Sequence, residues 1–323
     1  MRRLSAALLA VALILLMVWT ITAVAFQIDR PLWPIVGAVL GVAVAAVSAV
    51  ARCDLRLGWL ALIVCLAAIV LWWSAIVPRQ DRVWAPDVAY NVTAEIGSDV
   101  ATVHNIRDFD WHSEDSATVR WTSGVYPLDA ITSVDLVTSV WDSPAIAHVL
   151  VSFGFADGRH LAFSAEIRRE ADETFSSIGG FFKEFELALV AAKESDILKL
   201  RTNIRREDVS LFPLRLAPPQ ARRLFVSYLE RGNELAKAPE FYNTITANCT
   251  TIAFRLARLV EGGLPLDWRI LLSGYLPSYL YDLGILKTDL PLEETLRRAR
   301  ITERAQMLSE SADYSLGIRR DRF

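Results

Sequence analysis

Residues 146–167 read IAHVLVSFGF-ADG-RHLAFSAEI, two alternating segments around a short polar turn. Such a pattern is a hairpin signal. With Ala156-Asp157-Gly158 as a three-residue loop and Gly158 left-handed, Phe155 faces Arg159 and paired positions sum to 314. Val149, Val151 and Phe153 then meet Ala165, Phe163 and Leu161 on one apolar face. A two-residue Asp-Gly turn breaks that match. On the opposite face His148 falls across from Glu166, so a carboxylate can orient an imidazole for base work. The same pair is also compatible with a solvated polar sheet face that carries no function.

Outward from the hairpin, the sequence predicts an α+β domain. Short β-prone runs occupy 85–142, among them Thr118–Trp121 and Ile131–Val140. Phe181–Lys193 looks helical, Val209–Leu216 forms a short strand, and Pro218–Lys237 a longer helix. Apolar positions 252, 253, 256, 259 and 260 make a helical stripe, ended by Gly262-Gly263. Pro265–Leu283, rich in Leu, Tyr and Trp, is expected near the membrane. Leu292–Leu308 reads as a polar helix, and the tail to Phe323 as loosely ordered.

The chain has 323 residues, is 53% hydrophobic and has a formal net charge of −3. The apolar excess lies at the N-terminus. Leu4–Phe26, Leu32–Ala51 and Leu57–Val77 carry no charge and no polar face, so each is expected to span a bilayer. Ala23-Val24-Ala25 resembles a cleavage site, but the apolar run exceeds a signal-peptide core, and a retained helix is expected. Arg2, Arg3, Arg52 and Arg56 place the N-terminus and the second loop in the cytoplasm. The expected division is a three-helix anchor over 1–77 and a domain over 78–323 outside the cytoplasm, in the periplasm of a bacterial cell. Trp72, Trp73 and Trp84 suit an aromatic belt at the exit. The near-neutral charge gives no reason to expect nucleic acid.

This topology isolates one of the three cysteines. Cys53 lies in the cytoplasmic loop and Cys65 inside a span, so Cys249 has no disulfide partner in an oxidising compartment. It sits in FYNTITANCTT (241–251), just before the helical stripe, with Asn248 as the expected N-cap. A thiol in a first turn feels the positive end of the helix dipole, which favours the thiolate. A small packing cysteine is the plainer alternative. His148 is the best placed base for a nucleophilic Cys249. His104, Asp108, Asp110 and His112 would share one face of an extended segment but match no strong zinc pattern. His160 lies at the loop end of the hairpin, away from Glu166. Neither a metal nor another cofactor is expected.

The segments HNIRDFDW (104–111), AIAHVLVSFGFADGRHLAFSAEIRRE (145–170) and FYNTITANCTT (241–251) resemble the Lnb N-terminal periplasmic domain family. The resemblance implies a circularly permuted papain-like domain, with the histidine strand first and the cysteine helix later. It also implies a link to lipoprotein N-acylation, in which a cysteine takes an acyl chain and passes it to an amine. Carried onto this chain, Cys249 is the nucleophile, His148 the base and Glu166 the orienting residue. Asn248, Thr250 and Thr251 complete the cysteine block as substrate or oxyanion support, with amides of the helix start as further donors. The expected function is a periplasm-facing, membrane-anchored cysteine acyltransferase or lipid-ester hydrolase. Its substrate would be a phospholipid or lipoprotein. A cysteine amidase or peptidase acting on cell-wall peptide uses the same residues. A non-catalytic envelope interaction protein needs neither His148 nor Cys249.

Overall fold

The computed structural model describes residues 2–260, 263–308 and 314–320. Contacts divide the chain into two units, Met1–Gln80 with Ser176–Glu184, and Asp81–Phe175 with Phe185–Phe323.

The first unit holds α1 (Arg2–Gln27), α2 (Trp33–Cys53) and α3 (Leu55–Ala75), three helices long and apolar enough to cross a membrane. The Asp54 side chain caps α3 by accepting from the Arg56 amide at 2.8 Å. Segment 176–184 packs with these helices. Gln27 Nε2 donates to the Phe182 and Lys183 carbonyls at 2.7 and 2.9 Å, and Lys183 Nζ donates to the Trp73 carbonyl at 2.7 Å. The Phe182 ring lies among Trp19, Phe26 and Trp73.

The second unit is built on a twisted sheet. Its strands are β1 (Thr93–Ile96), β2 (Val100–Arg107), β5 (Trp121–Pro127), β6 (Ile131–Val140), β7 (His148–Phe155), β8 (His160–Arg168), β9 (Glu186–Lys193) and β10 (Asp208–Pro213). A separate ribbon pairs β3 (Asp110–Ser113) with β4 (Ser116–Thr118). The order is β1-β2-β9-β8-β7-β6-β10, with β5 also on β2; the β2–β9 pairing is parallel and the others antiparallel. The helices are α4 (Glu194–Lys199), α5 (Pro218–Lys237), α6 (Cys249–Val260), α7 (Leu276–Asp282), α8 (Leu292–Ala299), α9 (Thr302–Met307) and α10 (Tyr314–Gly317). A π-helical turn, Leu200–Ile204, follows α4 directly.

The hairpin register is the expected one: Val151 faces Phe163, Phe153 faces Leu161 and Gly154 faces His160. Gly158 has φ +85°, the left-handed conformation that the three-residue loop requires. Phe153, Phe163 and Val151 pack against Phe225, Tyr228 and Leu229 of α5 and Ile252 of α6. The other face is not solvated. Leu150 and Ala162 pack with Ile197, Leu198, Ile301 and Tyr314, so helices cover both sides of the sheet.

Three expectations change. The helix expected over Phe181–Lys193 is a 3-10 turn (Gly179–Phe181) followed by β9. The run Leu187–Ala192 is buried between the two helical layers, and such a continuous apolar strand lacks the alternation that would have marked it. The polar helix over Leu292–Leu308 breaks into α8 and α9, because the Ile301 amide bonds the Val209 carbonyl of β10 at 2.9 Å instead of its own helix. The tail is ordered over its described part. Tyr314 and Ile318 are buried, and Arg319 Nη2 meets Glu194 Oε1 at 2.6 Å and Asp135 Oδ2 at 2.8 Å. Gly262 and the rest of the tail lie outside the described residues.

Candidate active site

Cys249 opens α6, and its placement begins with the cap. The Thr251 amide donates to Asn248 Oδ1 at 2.8 Å, while the Asn248 amide donates to Thr251 Oγ1 at 2.9 Å. This reciprocal pair is a capping box with the side chains of Asn248 and Thr251 spent on the helix start. Asn248 Nδ2 also donates to the Thr244 carbonyl at 2.7 Å. Both residues therefore position Cys249. Among the described residues, the Cys249 and Thr250 amides have no carbonyl partner, as expected for a first helical turn.

His148 starts β7 and Glu166 lies near the end of β8, two residue pairs beyond Leu150 and Ser164, where the β7–β8 ladder ends. His148 Nε2 lies 3.2 Å from Glu166 Oε1 and 2.6 Å from Ser164 Oγ. The Ser164 hydroxyl in turn donates to Glu166 Oε1 at 2.7 Å. With Nε2 engaged there, Nδ1 is the nitrogen left for the thiol, and the imidazole is electrostatically coupled to Cys249. The Val149 amide adds to the stabilisation of a charge on the Cys249 sulfur. The carboxylate is held from behind by Arg201, whose Nη2 lies 3.1 Å from Glu166 Oε1. Arg201 is buried and sits on the π-helical turn after α4.

The electrostatics follow from this packing. Burial alone would lower the His148 pKa, but the Glu166 and Cys249 charges outweigh it and raise it to about 9. Burial acts to raise Glu166, yet the His148 charge and hydrogen bond, Arg201 and Ser164 hold it well below the usual carboxylate range. Cys249 is likewise pushed up by burial but drawn below the ordinary thiol value by His148 and the Val149 amide. The arrangement favours a thiolate–imidazolium pair, the charged state of a nucleophile with its proton donor beside it.

Alongside lies a cavity of about 290 Å³. Its walls are hydrocarbon from Leu136, Leu216, Leu224, Phe254, Leu276 and Leu280, among others, and its polar side chains are those of Thr250 and Tyr228. The Thr250 hydroxyl lies 3.9 Å from Cys249 Sγ, so the cavity adjoins the thiol. Exposed Leu266, Trp268 and Leu271 follow the lining residues Leu264 and Pro265 along the chain.

Cys249, His148 and Glu166 are thus brought together, with Thr250 at the cavity and Asn248 and Thr251 in the cap. The other histidines stand elsewhere. His160 Nδ1 contacts the Gly158 carbonyl, His104 Nδ1 meets Ser123 Oγ, and Asp108 accepts from Arg120 and Lys193. Among the described residues no cluster of three or more His, Cys, Asp or Glu is placed to hold a metal ion. Sequence reasoning missed Ser164, Arg201 and Tyr228. Ser164 was accessible to it, two residues before Glu166 on the same strand face. Arg201 and Tyr228 reach the site only through packing.

Fold and site together define a membrane-anchored α+β protein with a paired thiol and imidazole in its soluble domain. The model of the Lnb N-terminal periplasmic domain matches residues 117–274, and over these residues the chain is similar to that family. HNIRDFDW lies outside the matched span, while the His148 and Cys249 blocks lie within it. No curated protein and no solved structure was found to match. With three membrane-spanning helices ahead of a periplasmic domain, this is an inner-membrane protein whose soluble domain faces the periplasm.

Proposed function

We propose that this protein is a thiol acyltransferase or lipid-ester hydrolase working through a thioester on Cys249. The observation that carries the reading is the juxtaposition of the Cys249–His148 pair with a hydrocarbon-walled cavity. A peptide substrate would need polar partners along the cavity, whereas an acyl chain needs none. Each methylene buried there gains about 0.8 kcal/mol, so long chains are favoured over acetyl. The exposed Leu266, Trp268 and Leu271 further suit substrates drawn from a lipid surface.

In the proposed reaction the Cys249 thiolate adds to an ester carbonyl, forming the carbon–sulfur bond. The tetrahedral intermediate collapses, the carbon–oxygen bond breaks, and the imidazolium of His148 protonates the departing alkoxide. His148, now neutral, takes the proton of an incoming amine or water, which displaces Cys249 as thiolate. An amine acceptor gives N-acylation, and water gives hydrolysis. The histidine strand preceding the cysteine helix is the order of a permuted papain-like enzyme.

Intact mass after incubation with phospholipid vesicles tests this. An acyl adduct is expected on the wild type, with none on Cys249→Ser and a strongly reduced yield on His148→Ala. Absence of the adduct together with cleavage of a cell-wall peptide would replace the reading by an amidase. Full activity in Cys249→Ala would sink both.

A further inference from the structure

Tyr228 has no role in the thiol–imidazole pair, yet its position calls for one. It lies on α5, is 2% exposed, and its ring is fixed edge-on to Phe153 and tilted on Phe163, with centroids at 5.9 and 5.0 Å. Among the described residues its hydroxyl has no hydrogen-bond partner and is not sealed off, and it lines the cavity together with Thr250, whose hydroxyl lies 3.9 Å from Cys249 Sγ. A phenol hydroxyl open to a hydrocarbon-walled cavity is a donor free to meet a ligand. A ligand oxygen entering the cavity would satisfy it. The phenol also lies within electrostatic range of Cys249, and burial pushes its pKa up, so it stays protonated as a donor.

We infer that the Tyr228 hydroxyl is a catalytic residue: it donates to the carbonyl oxygen of the bound acyl group and to the oxyanion formed when Cys249 adds. The inference rests on the thiol reading above and specifies the donor within it. As the carbon–sulfur bond forms, the carbonyl π pair moves onto oxygen, and Tyr228 hydrogen-bonds that charge without giving up its proton. On collapse the pair returns and the alkoxide leaves with the His148 proton. The Cys249 and Thr250 amides, without a carbonyl partner among the described residues, stand at the start of α6 as companion donors.

The test compares two reactions of Cys249 in the full chain in detergent: acylation by 4-nitrophenyl dodecanoate, and alkylation by iodoacetamide, which forms no oxyanion. Tyr228→Phe removes one oxygen and keeps the ring. It is expected to slow acylation about 100-fold or more while leaving alkylation within about two-fold of wild type. Acylation within about three-fold of wild type would overturn the inference. So would equal losses in both reactions with a lowered Tm, which would assign the hydroxyl to packing. Acylation of wild-type Cys249 by the nitrophenyl ester but not by phospholipid vesicles would overturn the phospholipid donor alone, and the ratio still decides Tyr228. If neither donor acylates Cys249, both readings fall.

Discussion

At the scale of single residues, the central feature is a proton shared between two groups whose ordinary titrations are inverted. His148 is raised to about 9 and Cys249 is lowered, because each stabilises the other's charge and Glu166 reinforces the imidazolium. The sign for His148 follows from its raised value. Its stabilising contribution is complete below the ordinary histidine value of 6.5 and is lost as pH rises through about 9. Iodoacetamide alkylation of Cys249 is therefore expected to reach half its plateau rate below the ordinary thiol midpoint of 9.0. Acyl transfer should fall above about pH 9, where His148 no longer holds a proton for the leaving group. In His148→Ala the alkylation midpoint should move up towards that of a buried, unassisted thiol. An unchanged midpoint would remove the ion pair from the account. This much was partly legible in sequence, since His148 opposite Glu166 follows from the hairpin register. The Ser164 hydroxyl beside them was open to the same register argument, whereas Arg201 behind them came from the packing.

At the scale of elements, the site depends on how the start of β7 is held. The Ser273 hydroxyl accepts from the Ala147 amide at 2.8 Å and donates to the Ala147 carbonyl at 2.7 Å, one residue before His148. Next to it, the Gly274 amide donates to the Ala145 carbonyl at 3.0 Å. A Cβ on Gly274 would lie 1.9 Å from the Pro144 carbonyl oxygen, a contact only backbone movement can relieve. Gly274→Ala is expected to displace residues 144–147 and with them His148. Acylation should fall at least ten-fold, with a smaller effect on Tm, as measured by burst kinetics and thermal unfolding of the same sample. Wild-type kinetics in this variant would show that the 273–275 turn does not set the histidine. The helix of the cysteine was legible because its stripe and its Asn248 cap are local signals. The strand β9 was not, because a doubly covered strand and a buried helix present the same unbroken apolar run.

Across the whole soluble unit, the described C-terminal turn is tied to the sheet by charge. Arg319 bridges Glu194, whose side chain is fully buried, and Asp135, which is nearly so. Burial would raise Glu194, but Arg319 dominates and lowers it to about 2. That contribution is present above the ordinary glutamate value of 4.5 and is lost as pH falls towards about 2. Arg319→Ala leaves two buried carboxylates without their cation. It is expected to destabilise the soluble unit by about 3 to 5 kcal/mol, read by denaturant unfolding at pH 7. The deficit relative to wild type should shrink as the pH drops below about 4. A variant as stable as wild type at pH 7 would show that the turn adds nothing to the fold.

What the sequence determined by itself are the features whose cause is local. The three spans follow from uninterrupted apolar runs. The hairpin and its register follow from strict alternation and a left-handed glycine, and the placement of Cys249 from a cap and a helical stripe. The tertiary structure decided everything that needs two distant segments to meet. It buried the His148–Glu166 face that the pattern also allowed to be solvated, by bringing α4 and Arg201 against it. It opened a hydrocarbon cavity beside the thiol from residues scattered between Leu136 and Ile285, and it turned Tyr228 into that cavity. Periodicity of two or 3.6 residues records which side of an element is apolar, whereas the partner that covers that side is chosen by the packing of the whole chain.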